Sequence, residues 1–174
     1  YEVNLSFTET NPNNCILEVN GANVSMTRTG SYCEINRTSQ SENTYTYKVF
    51  VNDTAGNIAA SASRTVKLDT TVPSVLANST MYPAGQSSAS NTQTVTLNVT
   101  ATDATTGIDR VTVDAQNLGC SATLALNKQG SSTSYTNTCQ LSGATTGTKS
   151  LTVTANDTAG NSNATISLSV VVDA

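Results

Sequence analysis

Few residues in this chain could carry out chemistry. Its 174 residues contain no histidine, so the Ser-His-Asp and Cys-His arrangements of nucleophilic catalysis are not available. The four cysteines, Cys15, Cys33, Cys120 and Cys139, could form disulfides, remain free thiols or bind a metal. A zinc site is the least favoured of these, because thiolate zinc sites usually have C-x-x-C spacing. The sequence therefore predicts a protein that is not an enzyme and has no cofactor.

Carboxylates are the remaining candidates for chemistry. Asp103 and Asp109 fall in one loop, where they resemble turn formers more than an acid–base pair. Together with Asp69 they could also offer oxygen ligands to calcium, which prefers such ligands. The acidic residues do not reach the density of an EF-hand loop, so we expect no metal and keep calcium as the alternative.

The sequon N-x-S/T marks candidate sites for covalent N-glycans. Asparagine and threonine are so frequent here that several matches are expected by chance. Against chance, Asn4 recurs at the place of Asn98, and Asn52 at the place of Asn156, on outward-facing or turn positions. The eight predicted sites are Asn4, Asn23, Asn36, Asn52, Asn78, Asn98, Asn156 and Asn163.

The composition favours β-structure with an uncharged surface. Thr, Ser and Asn make up 71 of the 174 residues, charged residues are 11%, and the net charge is −4. Threonine and valine suit strands, while Asn, Gly and Ser suit turns. The eight Lys and Arg form no basic stripe, so nucleic acid is not expected as a partner. No apolar run reaches the roughly 20 residues of a membrane helix, so we expect no membrane span in this segment.

An internal repeat organises the chain. The motif NDTAGN occurs at residues 52–57 and again at residues 156–161. Each copy follows and precedes a stretch with apolar residues at alternate positions, which indicates a turn between two antiparallel strands rather than a disordered chain. The flanking segments align as well, giving two modules, 1–72 and 73–174, with a seam at residues 68–75. Short strands separated by turns predict an all-β fold of two tandem Greek-key sandwiches.

The repeat also selects a cysteine pairing. Cys15 and Cys33 match Cys120 and Cys139 at nearly constant offsets along the chain. Equivalent positions should pair within each module, which predicts the disulfides Cys15–Cys33 and Cys120–Cys139. Disulfides in turn favour an oxidising, extracellular compartment.

Three motifs carry a resemblance to a known class of proteins. A strand closed by DTAGN, a final strand ending in VKLDTTVP, and DATTGIDRVTV between two strands resemble the tandem immunoglobulin-like modules of prokaryotic surface proteins. Such modules occur in adhesin stalks, surface layers and extracellular filaments. The resemblance implies immunoglobulin-like sandwiches at the cell surface, and dense N-glycosylation would favour an archaeal one.

The two modules differ at their beginnings. The second has an opening strand, SVLAN, and a polar link before the strand that aligns with the start of the chain, whereas the first has no counterpart. We therefore expect the first module to lack its opening strand and to expose an unpaired edge and a groove. The predicted donor that fills it is the far end of another copy, with the alternating residues Ile166, Leu168, Val170 and Val172. The alternative is a longer chain whose missing strand lies upstream of Tyr1.

These features favour a structural role. The predicted function is that of a subunit or repeat segment of an extracellular filament or surface layer, which polymerises head-to-tail with itself by strand complementation. The alternatives are an adhesin or glycan-binding stalk module, or an accessory module of a secreted enzyme. For binding, the best candidate loop is KQGSSTSYTNT, with Tyr135 as its aromatic anchor.

Overall fold

The structure of the chain is a computed structural model that describes residues 1–78 and 80–173. The chain divides into two compact units, Tyr1–Asp69 and Thr70–Ala174, which we call module 1 and module 2. The division falls within the predicted seam. Among the described residues there is no α-helix, and the only helical turn is a 3-10 turn at Gln116–Leu118.

Module 1 is a sandwich of two antiparallel sheets. One sheet has the strand order β1-β5-β4, and the other has the order β3-β2-β6-β7, with β8 also paired to β6. The strands are β1 (Glu2–Ser6), β2 (Pro12–Val19), β3 (Ala22–Ser25), β4 (Thr27–Thr29), β5 (Tyr32–Asn36), β6 (Asn43–Asp53), β7 (Ile58–Ala60) and β8 (Arg64–Leu68).

Module 2 is built on the same plan with longer strands. Its order is β15-β14-β11-β12-β13-β10-β9, and the short β12 joins the two halves by pairing with both β11 and β13. The strands are β9 (Ser74–Ala77), β10 (Thr94–Thr102), β11 (Ile108–Val113), β12 (Leu124–Lys128), β13 (Ser134–Gln140), β14 (Gly147–Asp157) and β15 (Ser162–Val172). The predicted all-β, immunoglobulin-like sandwich fold is confirmed.

Alternating burial along the strands builds both cores, but the cores differ in size. In β10, every second residue faces inward: Val95, Leu97, Val99 and Ala101 are all at most 2% exposed. This is the expected result of the two-residue period of a strand with one buried face. Among the described residues, the core of module 2 has 21 buried residues and that of module 1 has eight. Module 1 therefore has much less buried apolar surface to hold it together.

The repeated motif forms the same turn in both modules. In module 1, the Asp53 carboxylate accepts the N–H groups of Ala55 at 2.9 Å and Asn57 at 2.8 Å, and also the Asn57 side-chain amide. In module 2, Asp157 accepts the equivalent groups of the next turn, including both donors of Asn161. The predicted turns, β6 to β7 and β14 to β15, are confirmed.

These hydrogen bonds favour the charged form of both carboxylates. The side-chain and backbone donors of Asn57 hold the pKa of Asp53 below its ordinary value of 3.8. At Asp157, burial opposes ionisation, but the donors of Asn161 and its neighbours outweigh it and the pKa is again lowered. Both turns are therefore stabilised by an ionised aspartate.

Backbone hydrogen bonds show which strands are equivalent. The Phe7 N–H donates to the Ser31 carbonyl at 3.0 Å, as the Ala101 N–H donates to the Thr133 carbonyl at 3.0 Å. In both modules the strand before the NDTAGN turn pairs with a strand that has a bulge near its start. The strands β1, β2, β5 and β6 thus correspond to β10, β11, β13 and β14.

Both predicted disulfides are present. Cys15 bonds Cys33, and Cys120 bonds Cys139, each pair with Cα atoms 6.1 Å apart. The first bridge joins β2 to β5 and so links the two sheets of module 1. The pairing prediction is confirmed.

The positional equivalence behind that pairing is wrong. Cys15 lies opposite Val51 in the strand before the turn, and at the same place in module 2 it is Val111 that lies opposite Ala155. Cys15 is therefore equivalent to Val111 and not to Cys120, which follows the 3-10 turn. Counting along the chain missed this because module 2 has extra residues between β11 and β12.

Candidate functional site

The edge of β1 is the main structural difference between the modules. In module 1, β1 pairs with β5 and, among residues 1–78 and 80–173, with no second strand. In module 2, the equivalent β10 lies between β13 and β9. Among the described residues, no strand of module 1 takes the position that β9 has in module 2.

The free edge of β1 has a defined set of donors and acceptors. The Phe7 N–H points to β5, and the Tyr1 carbonyl accepts the Arg37 N–H at 2.8 Å. Successive residues of a strand direct their backbone groups to opposite sides, so the N–H and C=O of Asn4 and Ser6 point away from β5. In module 2, the counterpart of Asn4 is Asn98, whose carbonyl accepts the Asn78 N–H at 3.2 Å, beside β9.

A groove runs along this edge between the two sheets of module 1. It has a volume of about 310 Å³ beside Leu5 and Phe7, and a neighbouring hollow of about 260 Å³ extends past Val3 and Tyr47. The opposite wall includes Val49 and Val51 of β6 and the strand β7. Ile58, at the start of β7, is 69% exposed beside the groove. A large apolar side chain in that position is expected where a further element packs.

Module 2 shows what closes such a groove. Its strand β9 pairs with β10 and places Val75 inward at 6% exposure, while Leu76 faces outward at 64%. Beneath it, Val99 is 0% exposed and Ala101 is 2% exposed. Their counterparts Leu5 and Phe7 remain half-exposed in module 1. The groove is therefore the place that β9 fills in module 2.

The far wall of the groove is interrupted as well. Where module 2 has the continuous strand β15, module 1 has the short strands β7 and β8 separated by residues 61–63. At the break, the Val49 N–H donates to Ser61 Oγ at 3.0 Å, and the Ser61 N–H donates to the Val49 carbonyl at 2.8 Å. A serine side chain thus replaces part of the strand ladder, and the small residues beside it leave the groove wide.

The predicted donor strand already has a place in the fold. Leu168, Val170 and Val172 are at most 2% exposed in the core of module 2, and Ile166 packs against that core. β15 pairs with β14 along nearly its whole length. Its other edge is covered in part, because the Ala89 N–H donates to the Val171 carbonyl at 3.0 Å. Donation of β15 therefore requires the donor's module 2 to open.

The predicted glycosylation sites fall into two groups. Asn4, Asn23 and Asn36 are exposed on strands of module 1, and no hydrogen bond among the described residues engages their amide nitrogens. The other five are half-buried: Asn52, Asn78, Asn98, Asn156 and Asn163.

Two of the half-buried asparagines use the nitrogen that a glycan would need. Asn78 Nδ2 donates to Thr100 Oγ1 at 2.8 Å, and Asn163 Nδ2 donates to the Pro73 carbonyl at 2.8 Å. A glycan at either site would break these contacts, so the geometry favours Asn4, Asn23 and Asn36.

The carboxylates of module 2 serve its turns. Asp103 Oδ1 accepts the N–H groups of Thr106 at 2.7 Å and Gly107 at 2.8 Å. The carboxylate oxygens of Asp103 and Asp157 come within 4.8 Å of each other, whereas Asp109 is exposed on β11. The hydrogen bonds of Asp103 agree with the role of turn former that the sequence favours.

The candidate binding loop loses its anchor in the structure. Tyr135 lies in β13 and is 6% exposed, and burial raises the pKa of its hydroxyl. An aromatic ring in the core cannot stack on an external ligand. The loop that the sequence offered for recognition therefore has no exposed aromatic side chain.

Comparisons with known proteins bear on the fold. No protein-family model and no curated protein matches the chain. Among solved structures, it is similar to the fibronectin(III)-like modules of Clostridium thermocellum CbhA, at 18% identity and a TM-score of 0.53, over 99% of this chain and 85% of that one. The chain also matches SGBP-B of the Bacteroides ovatus mixed-linkage glucan utilization locus in complex with a heptasaccharide. That match has 19% identity and a TM-score of 0.27, over 91% of this chain and 38% of that one.

The first of these likenesses supports the fold alone, and the second is too weak to carry an argument. No helix in the described part of the chain is long and apolar enough to cross a membrane.

Proposed function

We propose that the chain is a non-catalytic, N-glycosylated building block of an extracellular filament or surface layer of a prokaryotic cell. In this proposal, module 1 is completed by a β-strand from a neighbouring chain. The observation that carries it is the open groove along β1, whose counterpart in module 2 is filled by β9.

An unpaired edge beside an apolar groove is suited to strand addition. Backbone N–H and C=O groups along the edge supply affinity, and the groove takes alternate side chains of the added strand. Left unfilled, such an edge is a site of uncontrolled pairing. A contact between module 1 of one copy and a different surface of the next is head-to-tail, and it propagates into a fibre unless the rotation closes a ring.

Three features support a place outside the cell. Two disulfides stabilise the modules, and disulfides persist in oxidising compartments. The surface is rich in hydroxyl and amide groups and poor in charge. Glycans on Asn4, Asn23 and Asn36 would point into solvent from exposed positions, and would help so uncharged a surface to stay soluble.

Assembly can be tested with one substitution on the free edge. Ser6→Pro removes an N–H that points away from β5 and places a ring at the edge, while the β5 ladder uses the odd-numbered residues. Ser6→Ala is the matched control because it keeps the N–H. We expect Ser6→Pro to abolish filaments seen by negative-stain electron microscopy and Ser6→Ala to keep them.

Gel electrophoresis of native material tests how the units are linked. Under reducing, denaturing conditions, strand exchange predicts a discrete band of a single two-module chain, in which these 174 residues account for 18.0 kDa. A very large band would mean that modules follow one another in one continuous chain. The proposal that strand addition links separate chains would then be wrong.

Peptide mapping of the same material tests the glycans. We expect modified Asn4, Asn23 and Asn36 and unmodified Asn78 and Asn163. A mass equal to that of the bare polypeptide would remove glycosylation from the proposal.

A further inference from the structure

We infer that the strand closing the groove of module 1 is of the β9 type and is a strand other than β9 and β15 themselves. By β9 type we mean an extended segment, antiparallel to β1, with a proline followed two positions later by an apolar residue that points inward. This inference rests on the proposed function, since it names the partner of the same groove.

The register follows from the pairing in module 2. There, Val75 lies opposite Ala101, and Leu76 lies opposite Thr100. The equivalents of Ala101 and Thr100 in module 1 are Phe7 and Ser6. The inward residue of the donor therefore lies opposite Phe7, and the outward residue lies opposite Ser6.

Hydrogen-bond parity agrees with this register. The pair Asn98 and Asn78 is hydrogen-bonded, so the alternation of an antiparallel ladder makes Thr100 and Leu76 a hydrogen-bonded pair too. Ser6 has the same parity as Thr100 and directs its N–H and C=O to the free edge. The donor residue opposite Ser6 thus meets two available backbone groups.

The groove sets the chemistry of the inward residue. Its lining at this point includes Leu5, Phe7, Val51 and Ile58, and also the acidic residues Glu9 and Asp53. An apolar side chain fits these walls, while an acidic one would be desolvated beside two acidic groups. The outward residue is free to vary, as shown by Leu76, which is 64% exposed in β9.

Counting the edges excludes donors from within the described fold. Within residues 1–78 and 80–173, each copy has two edges that need an opening strand, at β1 and at β10, and one strand of this type, β9. Donation of β9 would leave the donor's β10 uncovered and move the gap to another module. Donation of β15 would remove Leu168, Val170 and Val172 from a core. The strand that closes the groove is therefore neither the β9 nor the β15 of a neighbouring copy.

A synthetic peptide can stand in for the donor. The probe is TTVPSVLAN, residues 70–78, labelled and titrated into the 174-residue chain by fluorescence anisotropy. We expect saturable binding. A peptide with Val75→Asp should bind at least about tenfold more weakly, the ratio that corresponds to about 1.4 kcal/mol. A peptide with Leu76→Asp should bind like the parent.

Two variants of the protein place the binding in module 1. Ser6→Pro blocks the edge, and Ile58→Asp puts a charge on the groove wall at a position 69% exposed in the free chain, so folding should not suffer. Each should weaken binding at least about tenfold, whereas Ser6→Ala should not. No binding of the parent peptide, equal binding of the Val75→Asp peptide, or full binding to the Ile58→Asp protein would overturn the inference.

The outcomes separate this inference from the proposed function. Suppose that Ser6→Pro abolishes native filaments but the parent peptide does not bind. The inference of a β9-type donor is then wrong, while the proposal that a strand links neighbouring chains stands. If the peptide binds as expected but native material is one continuous chain, the β9-type strand stands and the link between chains is wrong.

Discussion

Module 1 and module 2 share a turn, a strand order around it and the parity of their hydrogen bonds, yet only module 2 is closed. In module 2, β9 covers the edge of β10 and the continuous β15 forms the facing wall. In module 1, no second strand of the described residues pairs with β1, and the facing wall is broken into β7 and β8. Closure therefore depends on one short strand and one unbroken strand.

The modules also hold their sheets together differently. Module 1 places the bridge Cys15–Cys33 between its sheets, where module 2 has Val111 and a larger apolar core. A crosslink can stabilise a small core because it restricts the unfolded chain. The open module is thus the one that relies on its disulfide, and the closed module relies on packing.

The largest effect should come from removing these bridges. Cys15→Ala with Cys33→Ala should lower the free energy of unfolding of module 1 by about 3 kcal/mol, from the entropy of a loop of this size. With so small a core, module 1 should lose its melting transition in calorimetry. Cys120→Ala with Cys139→Ala is the matched control, and it should leave module 2 folded. Equal loss of both modules would contradict the different roles of the bridges.

A smaller effect should follow from opening module 2 on purpose. Val75→Asp places a charge where β9 buries an apolar side chain, and should destabilise module 2 by about 2 kcal/mol or more. Leu76→Asp, on the exposed face of the same strand, should change little. Chemical denaturation followed by circular dichroism measures both. If the two variants were equally stable, β9 would not be the element that closes the groove.

Acid should weaken both modules through their shared turn. The pKa values of Asp53 and Asp157 are lowered in the folded chain. Their stabilisation is therefore complete above the ordinary pKa of 3.8 and is lost as the pH falls through the folded values. The melting temperature should drop below about pH 4, and Asp53→Asn or Asp157→Asn should flatten the drop for its own module. If the melting temperature of either variant fell with acid as it does in the parent protein, the turn would not be the source of the acid sensitivity.

The smallest effect should come from the surface ion pair between Lys48 and Glu18 of module 1. Lys48 Nζ lies 3.2 Å from Glu18 Oε1 and 4.9 Å from the centre of the Phe50 ring. Both charged side chains are about one-third exposed, so Lys48→Gln should cost less than about 1 kcal/mol. Calorimetry of module 1 at low and high salt checks this, and a larger loss would show that the pair supports the fold.

Most of the fold could be predicted from the sequence because the alternation of apolar residues and the NDTAGN turn are both local patterns. The alternation around NDTAGN depends on neighbouring residues, so it predicted the strands β6 and β14 and their turns. No segment like SVLAN precedes β1 in the 174 residues, which agrees with the edge of β1 that no described strand covers. The half-exposure of Leu5 and Phe7 agrees with that edge.

What the sequence could not give depends on distance in space. Cys15 and Cys120 match along the chain, but the ladder beside Val51 shows that Val111 is the true counterpart of Cys15. The alternation of Ile166 to Val172 is equally consistent with a donor strand and with a core strand, and only the pairing with β14 gives it a place. The sequence placed Tyr135 in a loop. Its burial depends on the sheet that packs against it, which neighbouring residues do not reveal.

Amide hydrogen exchange of Ser6, compared with its counterpart Thr100, tests the central claim most directly. In the isolated 174-residue chain, the Ser6 amide should exchange fast, while the amides of Thr100, beside β9, and Leu5, bonded to β5, should be protected. In native assembled material, Ser6 should become as protected as Thr100. A Ser6 amide that is already protected in the isolated chain, or that still exchanges fast in the assembly, would contradict the claim that another strand completes β1.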